Sequence, residues 1–311
     1  MRRSAYAVGV IVILAAFAAL VVPGRRPDAF ALLSAAAQAA EQSHSIRIVR
    51  GATDRVPPGT PLTFFMSGWG GPQTEDRLIA ADPHSIRRRD IRDGSIELYF
   101  VQDADTGEYA FYDRREKTLY TADLRPLQPV ATQVVAHNAK EMWKSEQFEE
   151  QLAQLQQNVA EKAMQKSVTD GVYSAVQPMQ VWIRGKGPKS RRFELYRWCR
   201  IVTIGWTVAE TPKLITSRLE FYLDSNTQRP FAERQYLKVE GQPERLIGNI
   251  TKIEYDVPFP PRDRVPLPRG TKVVRCTGRT VDIRNRFGHA VGFELLTGKR
   301  SVIVSTVHVP D

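Results

Sequence analysis

Cysteine is scarce. Cys199 and Cys276 are the only two in 311 residues, too few for a disulfide framework, and neither has a neighbour at C-x-x-C spacing. The five histidines, His44, His84, His137, His289 and His308, are scattered, so no pair sits at a spacing that sets two metal ligands on one helix face or hairpin. The G-x-S-x-G elbow of serine hydrolases is missing. Asp103–Glu108 opens like a calcium loop, but its glycine stands at the fifth place and no glutamate closes the twelfth, so it reads as a hairpin turn. Gly185–Arg192 has the glycines and lysines of a phosphate loop without the spacing, and Pro188 removes one of the amides that would cradle an anion. With no catalytic, metal or cofactor signature, the chain reads as non-enzymatic.

The composition is that of a globular protein, 42% hydrophobic and 25% charged, with 44 basic residues against 34 acidic ones and a net charge of +10. Such an excess suits anionic lipids or polymers. Two clusters carry much of it: Arg87, Arg88 and Arg89, and the run with Lys186, Lys189, Arg191 and Arg192. They read either as anionic-surface contacts or as solvated charges.

Ser4–Val22 carries no charge and is bracketed by Arg2, Arg3, Arg25 and Arg26. At ~1.5 Å per residue it reaches across a ~30 Å hydrocarbon core. The expectation is a single transmembrane helix at the cell membrane, with residues 1–27 as anchor and the bulk of the chain extracytoplasmic. A signal cleaved near Ala29-Phe-Ala31 is the alternative. An extracytoplasmic chain has no nucleic acid to meet. In that compartment Cys199 and Cys276 form either one disulfide or two buried thiols.

Asp28 is placed to cap a short helix with Phe30, Leu33, Ala37 and Ala40 on one face. Strands follow at Ser45–Arg50, at the alternation of Leu62, Phe64 and Met66, and through two hairpins from Ser95 to Thr121. Phe148, Leu152, Leu155, Val159 and Ala163 recur at helical spacing, which predicts a long polar helix from about Asn138 to Lys166. Strands resume at Met179–Arg184 and Phe193–Val208. Ser217–Pro258 is a three-stranded meander in which Leu219, Phe221 and Leu223 share one face and Glu220 and Tyr222 the other. A proline-rich run reaches Gly270, and residues 271–311 form a β-rich extension.

This order, with the phrases Tyr112–Tyr120, Leu219–Phe231 and Val265–Val274, resembles the periplasmic lipoprotein-carrier superfamily, which holds LolA-like and LolB-like carriers and RseB-like sigma-factor regulators. The resemblance spans roughly residues 28–274. Arg229 stands where that pattern often has glycine. The resemblance implies an α+β domain over residues 28–270: a curved antiparallel sheet forming an incomplete barrel, with helices on its concave face. It also implies binding of a lipid, a lipidated protein or an envelope protein partner, or regulation of a membrane-bound anti-sigma-type partner. The alternation agrees that one face is apolar, with Leu62, Phe64, Met66, Val181, Ile183, Leu195, Leu219 and Phe221 sharing it, as a lipid-binding face or as ordinary core. A secreted enzyme with a site built from scattered carboxylates is the third reading.

Overall fold

Short alternating runs separated by tight turns pair first with their sequence neighbours, because closing a short loop costs little entropy. The computed structural model describes residues 28–55, 73–146, 164–183, 187–208, 214–261, 265, 267–285 and 288–309, and such pairing builds two meanders in it. Helix α1 (Ala29–Glu41) leads into β1 (Ser45–Arg50), β2 (Glu75–Asp82), β3 (Ser85–Arg92), β4 (Ser95–Asp103), β5 (Glu108–Asp113) and β6 (Thr118–Asp123). A 3-10 turn at Arg125–Leu127 and helix α2 (Val130–Glu146) follow. The second meander is β7 (Met164–Ile183), β8 (Gly187–Val208), β9 (Ile215–Asp224), β10 (Pro230–Val239) and β11 (Arg245–Tyr255). The chain ends in β12 (Lys272–Arg275), β13 (Thr277–Asn285), β14 (Gly288–Thr297) and β15 (Arg300–Val309).

The two meanders join where β1 lies antiparallel to β11. One curved sheet of twelve strands results, ordered β12-β6-β5-β4-β3-β2-β1-β11-β10-β9-β8-β7. β12 runs parallel to β6, and β13–β15 form a separate three-stranded sheet.

Residues directly opposite one another on paired strands share a face. Ile46, Ile79, Arg88, Phe100, Phe111 and Tyr120 form one such row across β1 to β6. A second row runs Phe221, Glu233, Ile250, Arg50 and Glu75 across β9 to β2. Both helices lie on the face these rows define. Ala29, Leu33 and Ala36 of α1 pack on Ile204, Trp206, Leu219, Phe221 and Leu237. Asp28 holds the N-cap position with its carbonyl, which accepts from Leu32 N at 3.1 Å, while its side chain makes no cap bond. Ala131, Val134 and Val135 of α2 pack on Tyr109 and Tyr120 beneath Phe293 and Leu295 of β14. Asn138 ties these layers together: its Nδ2 donates to Gln102 Oε1 at 3.1 Å and to Ser305 Oγ at 3.0 Å.

The opposite face is also covered. The proline-rich run lays Phe259, Val265 and Leu267 over Tyr99, Val101 and Tyr112, so it is a structural cover and not a free linker. Under β7–β10, Tyr173, Tyr222 and Phe231 cluster on the face that looked polar in sequence. Arginines roof these rings: Arg197 lies 4.0 Å from the Phe231 centroid and Arg234 4.9 Å from that of Tyr173. Cation–π contact lets an arginine cover aromatic surface while keeping part of its charge in water.

Three expectations are corrected. The class is predominantly β, 61% strand against 14% helix, instead of α+β. The expected helix from Asn138 to Lys166 gives way to one that starts earlier, at Val130, and reaches Glu146; residues 147–163 lie outside the described residues, and Met164 already opens β7. No helix among the described residues is long and apolar enough to cross a membrane, so a preceding transmembrane helix is no part of the described fold. The expected span and anchor, residues 1–27, fall outside the described residues.

Candidate binding surface

The residues expected to share a lipid-binding face are dispersed. Leu219 and Phe221 are 1% and 4% exposed, packed under α1 as core. Leu195 lies well away, 42% exposed and paired with Ala175 on the long β7–β8 hairpin. Val181 and Ile183 fall near the tip of that hairpin, opposite Lys189 and Gly187. Leu62, Phe64 and Met66 lie outside the described residues.

The basic clusters fare differently from one another. Arg87, Arg88 and Arg89 are consecutive on β3, so they alternate between faces: Arg88 shares a face with Phe100, whereas Arg87 and Arg89 share the other with Val101 and Tyr99. Each is engaged by a carboxylate, Arg87 with Asp103 at 2.6 Å, Arg88 with Asp90 at 2.7 Å and Arg89 with Asp76 at 3.6 Å. They hold the sheet together and do not form one basic patch. Lys189, Arg191 and Arg192 are strand residues of β8, paired with Val181, Met179 and Pro178. Lys186 lies outside the described residues.

Cys199 and Cys276 are free and buried in different clusters, one beside Tyr173, the other beside Tyr109. The disulfide is therefore replaced by its alternative, two buried thiols, and burial pushes both thiols up.

A charged row crosses the helix-bearing face between the two packed clusters. Arg50 meets Glu75 at 2.7 Å, Arg77 meets Glu75 at 3.0 Å and Asp90 at 3.5 Å, and Arg88 meets Asp90. Burial alone would raise the Glu75 carboxyl, but Arg77 and Arg50 outweigh it and hold it below the ordinary value. Within this row the Glu75 and Asp90 carboxylates are each engaged by two arginines. A shallow polar groove of about 380 Å³ lies at the β5–β6 end, lined by Tyr109, Asp123, Arg125 and Arg275. There the Arg125 guanidinium and backbone amide hold Asp123 down to about 2, so it is no proton acceptor near neutrality. Among the described residues, no group of three or more His, Cys, Asp or Glu side chains is placed to hold a metal.

The feature that stands apart is the β7–β8 hairpin. These two strands pair continuously from Met164↔Trp206 to Ile183↔Gly187, but β8 meets β9 only over Cys199–Val208. Residues 171–183 and 187–198 thus extend as a two-stranded arm beyond the sheet. On one face of the arm Val172 stands opposite Trp198 and Ser174 opposite Tyr196. Trp198 is 75% exposed, Tyr196 67% and Val172 42%. Arg200 continues that face and meets Asp170 at 3.3 Å. At the root of the arm, Arg197 bonds Asp224.

Trp198 and Tyr196 were missed as site residues from sequence. Their period-2 placement with Arg200 was readable, but their exposure depends on where β9 stops, which no local pattern reports.

The fold and this surface define a predominantly β scaffold with both of the described helices on one sheet face and an aromatic arm at the sheet edge. No family model and no curated protein matches the chain.

Proposed function

We propose that the protein is a non-enzymatic binding protein on the plan of the lipoprotein carriers and RseB-like regulators, working through its arm instead of by enclosing an acyl chain. The order helix, six-stranded meander, helix, five-stranded meander, closed through β1 and β11, supports the kinship. The observation that carries the mode of binding is a contrast in exposure. Leu219 and Phe221, read from sequence as a lipid-binding face or as ordinary core, are core, whereas Trp198 and Tyr196 stand in water. Large exposed aromatics on one face are costly to leave hydrated and are typical of contact surfaces. The partner is a component of the cell envelope.

Photocrosslinking in cells tests this. A photoreactive phenylalanine analogue at position 196 is expected to yield defined adducts, and the same group at Val304, exposed on the C-terminal sheet, is expected to yield few. No adduct from position 196, or equal yield from both, would sink the proposal.

A further inference from the structure

β7 ends the twelve-stranded sheet, so no strand among the described residues lies along its outer edge. Bulges, charges and proline are the usual guards of such an edge. β7 pairs with β8 over 20 residues without a shift of register, and its one proline, Pro178, lies out on the arm. Pro178 also fixes which backbone groups face outward. Lacking an N–H, it cannot exchange hydrogen bonds with Arg192, so in the pair Pro178↔Arg192 the backbone groups point away from each other. Unbroken alternation carries that orientation down the strand to Asp170, Val168 and Lys166, whose N–H and C=O groups therefore point off the sheet.

The edge is complementary to itself. Gln165–Gly171 reads Gln-Lys-Ser-Val-Thr-Asp-Gly, and when it is turned end for end about Val168, lysine meets aspartate and serine meets threonine. Opposite charges and hydroxyl pairs directly across an antiparallel ladder stabilise it, whereas like charges there destabilise it. Moving the axis by one residue removes the lysine–aspartate pair, and moving it by two sets Lys166 or Asp170 against itself. The side chains stand ready: Gln165, Lys166, Ser167, Thr169 and Asp170 are exposed. Asp170 meets Arg200 at 3.3 Å with its own side chain still 76% exposed, which leaves carboxylate lone pairs for a second cation.

We infer that two copies of this chain join edge to edge, β7 antiparallel to β7 of the second copy, across a twofold axis at Val168. Lys166 of each copy lies opposite Asp170 of the other, and Ser167 opposite Thr169. An axis that relates neighbouring antiparallel strands stands perpendicular to the sheet, so the two sheets become one and both arms present Trp198 and Tyr196 on the same face. The inference goes beyond the binding role proposed above and stands without it.

Cysteine pairing on the full chain tests association and register together. At this seam Ser167 and Thr169 form a pair of the closer kind, with Cα atoms about 4.5 Å apart, within reach of a disulfide. The native thiols, Cys199 and Cys276, are buried. Under mild copper-catalysed air oxidation, Ser167→Cys chains mixed with Thr169→Cys chains are expected to give a disulfide-linked dimer, and either variant alone far less of it. Lys166→Glu sets like charges opposite one another twice across the axis and is expected to raise the dimer's dissociation constant, read by sedimentation equilibrium, at least about tenfold. Lys166→Arg keeps the charge and is expected to hold that constant within about threefold. A chain that sediments as a monomer throughout, linkage as strong in either cysteine variant alone as in the mixture, or a dimer indifferent to Lys166→Glu would each overturn the inference. None of these results bears on the adducts expected from position 196.

Discussion

The Arg47 guanidinium donates to the Glu254 carboxylate at 3.3 Å, across 207 residues of sequence. It also forks onto Asp76, Nε to Oδ1 at 2.9 Å and Nη2 to Oδ2 at 2.7 Å. One side chain thus bridges β2, β1 and β11 at the seam where the two meanders become a single sheet. Arg47→Ala is expected to cost about 2 kcal/mol, since charge-assisted bonds are worth ~1.5–3 kcal/mol and these groups are partly exposed. Arg47→Lys keeps the charge but not the fork, and is expected to recover less than half of that. Denaturant unfolding measures both; equal stability of all three proteins would contradict the seam's role.

Acid sensitivity should centre on the turn after β9. Burial pushes the Asp224 carboxyl up, but the amides of Thr227 and Asn226 and the Arg197 guanidinium together hold it down to about 2, against an ordinary value of 3.8. The unfolded chain therefore takes up this proton first as pH falls. Asp224 contributes stability in full above its unfolded value and loses it as pH drops through about 4 to about 2. Asp224→Asn is expected to be less stable at pH 7 and to show a flatter decline between pH 4 and pH 2. Unfolding midpoints across that range check it, and parallel curves for the two proteins would be the contrary result.

The thiols provide a direct count. Cys199 and Cys276 are buried, with 2% and 5% exposure, and burial raises both above the usual thiol range, so the reactive thiolate is suppressed. A thiol reagent near pH 8 is expected to label neither in the folded protein and both in denaturant without reductant. Labelling of none in denaturant would mean a disulfide after all.

Gly292 sits on β14 where a Cβ would lie 2.2 Å from Ser305 O and 2.7 Å from Thr306 Cα. Those are backbone atoms of the paired strand and cannot swing away. Gly292→Ala is expected to cost about 2–3 kcal/mol and to loosen the sheet that carries Phe293 over Tyr109. Gly241, with φ +77 and open space around it, is a control whose alanine variant meets only backbone strain of ~1 kcal/mol. Limited proteolysis should then cut within β13–β15 only in the first variant; identical digestion patterns would contradict the packing.

Much of the sheet was legible because local alternation and turn residues state it. β4 to β6 and β9 to β11 follow the expected Ser95–Thr121 and Ser217–Pro258 closely, with Pro230 opening β10. β2 and β3 were obscured, since Arg87, Arg88 and Arg89 read as surface contacts or solvated charges, whereas Arg77 meets Asp90 and Arg89 meets Asp76 across the two strands. Helix α2 was misplaced because its apolar stripe, Ala131, Val134, Val135 and Ala139, is short, while the stripe from Phe148 was stronger to the eye. The proposed binding surface was the least legible part. Leu219 and Trp198 both fall in strand runs of the sequence, and the cover of α1 over one and the end of β9 beside the other set them apart.

Hydrogen–deuterium exchange on the full chain, free and bound to envelope membranes, tests the central claim most directly. If the helix-bearing face is core and the arm is the binding surface, amides of β9 exchange slowly and equally in both states, while residues 171–198 gain protection on binding. Protection gained in β9 and α1 with an unchanged arm would contradict it, and would return the helix-bearing face to the role of a ligand cavity.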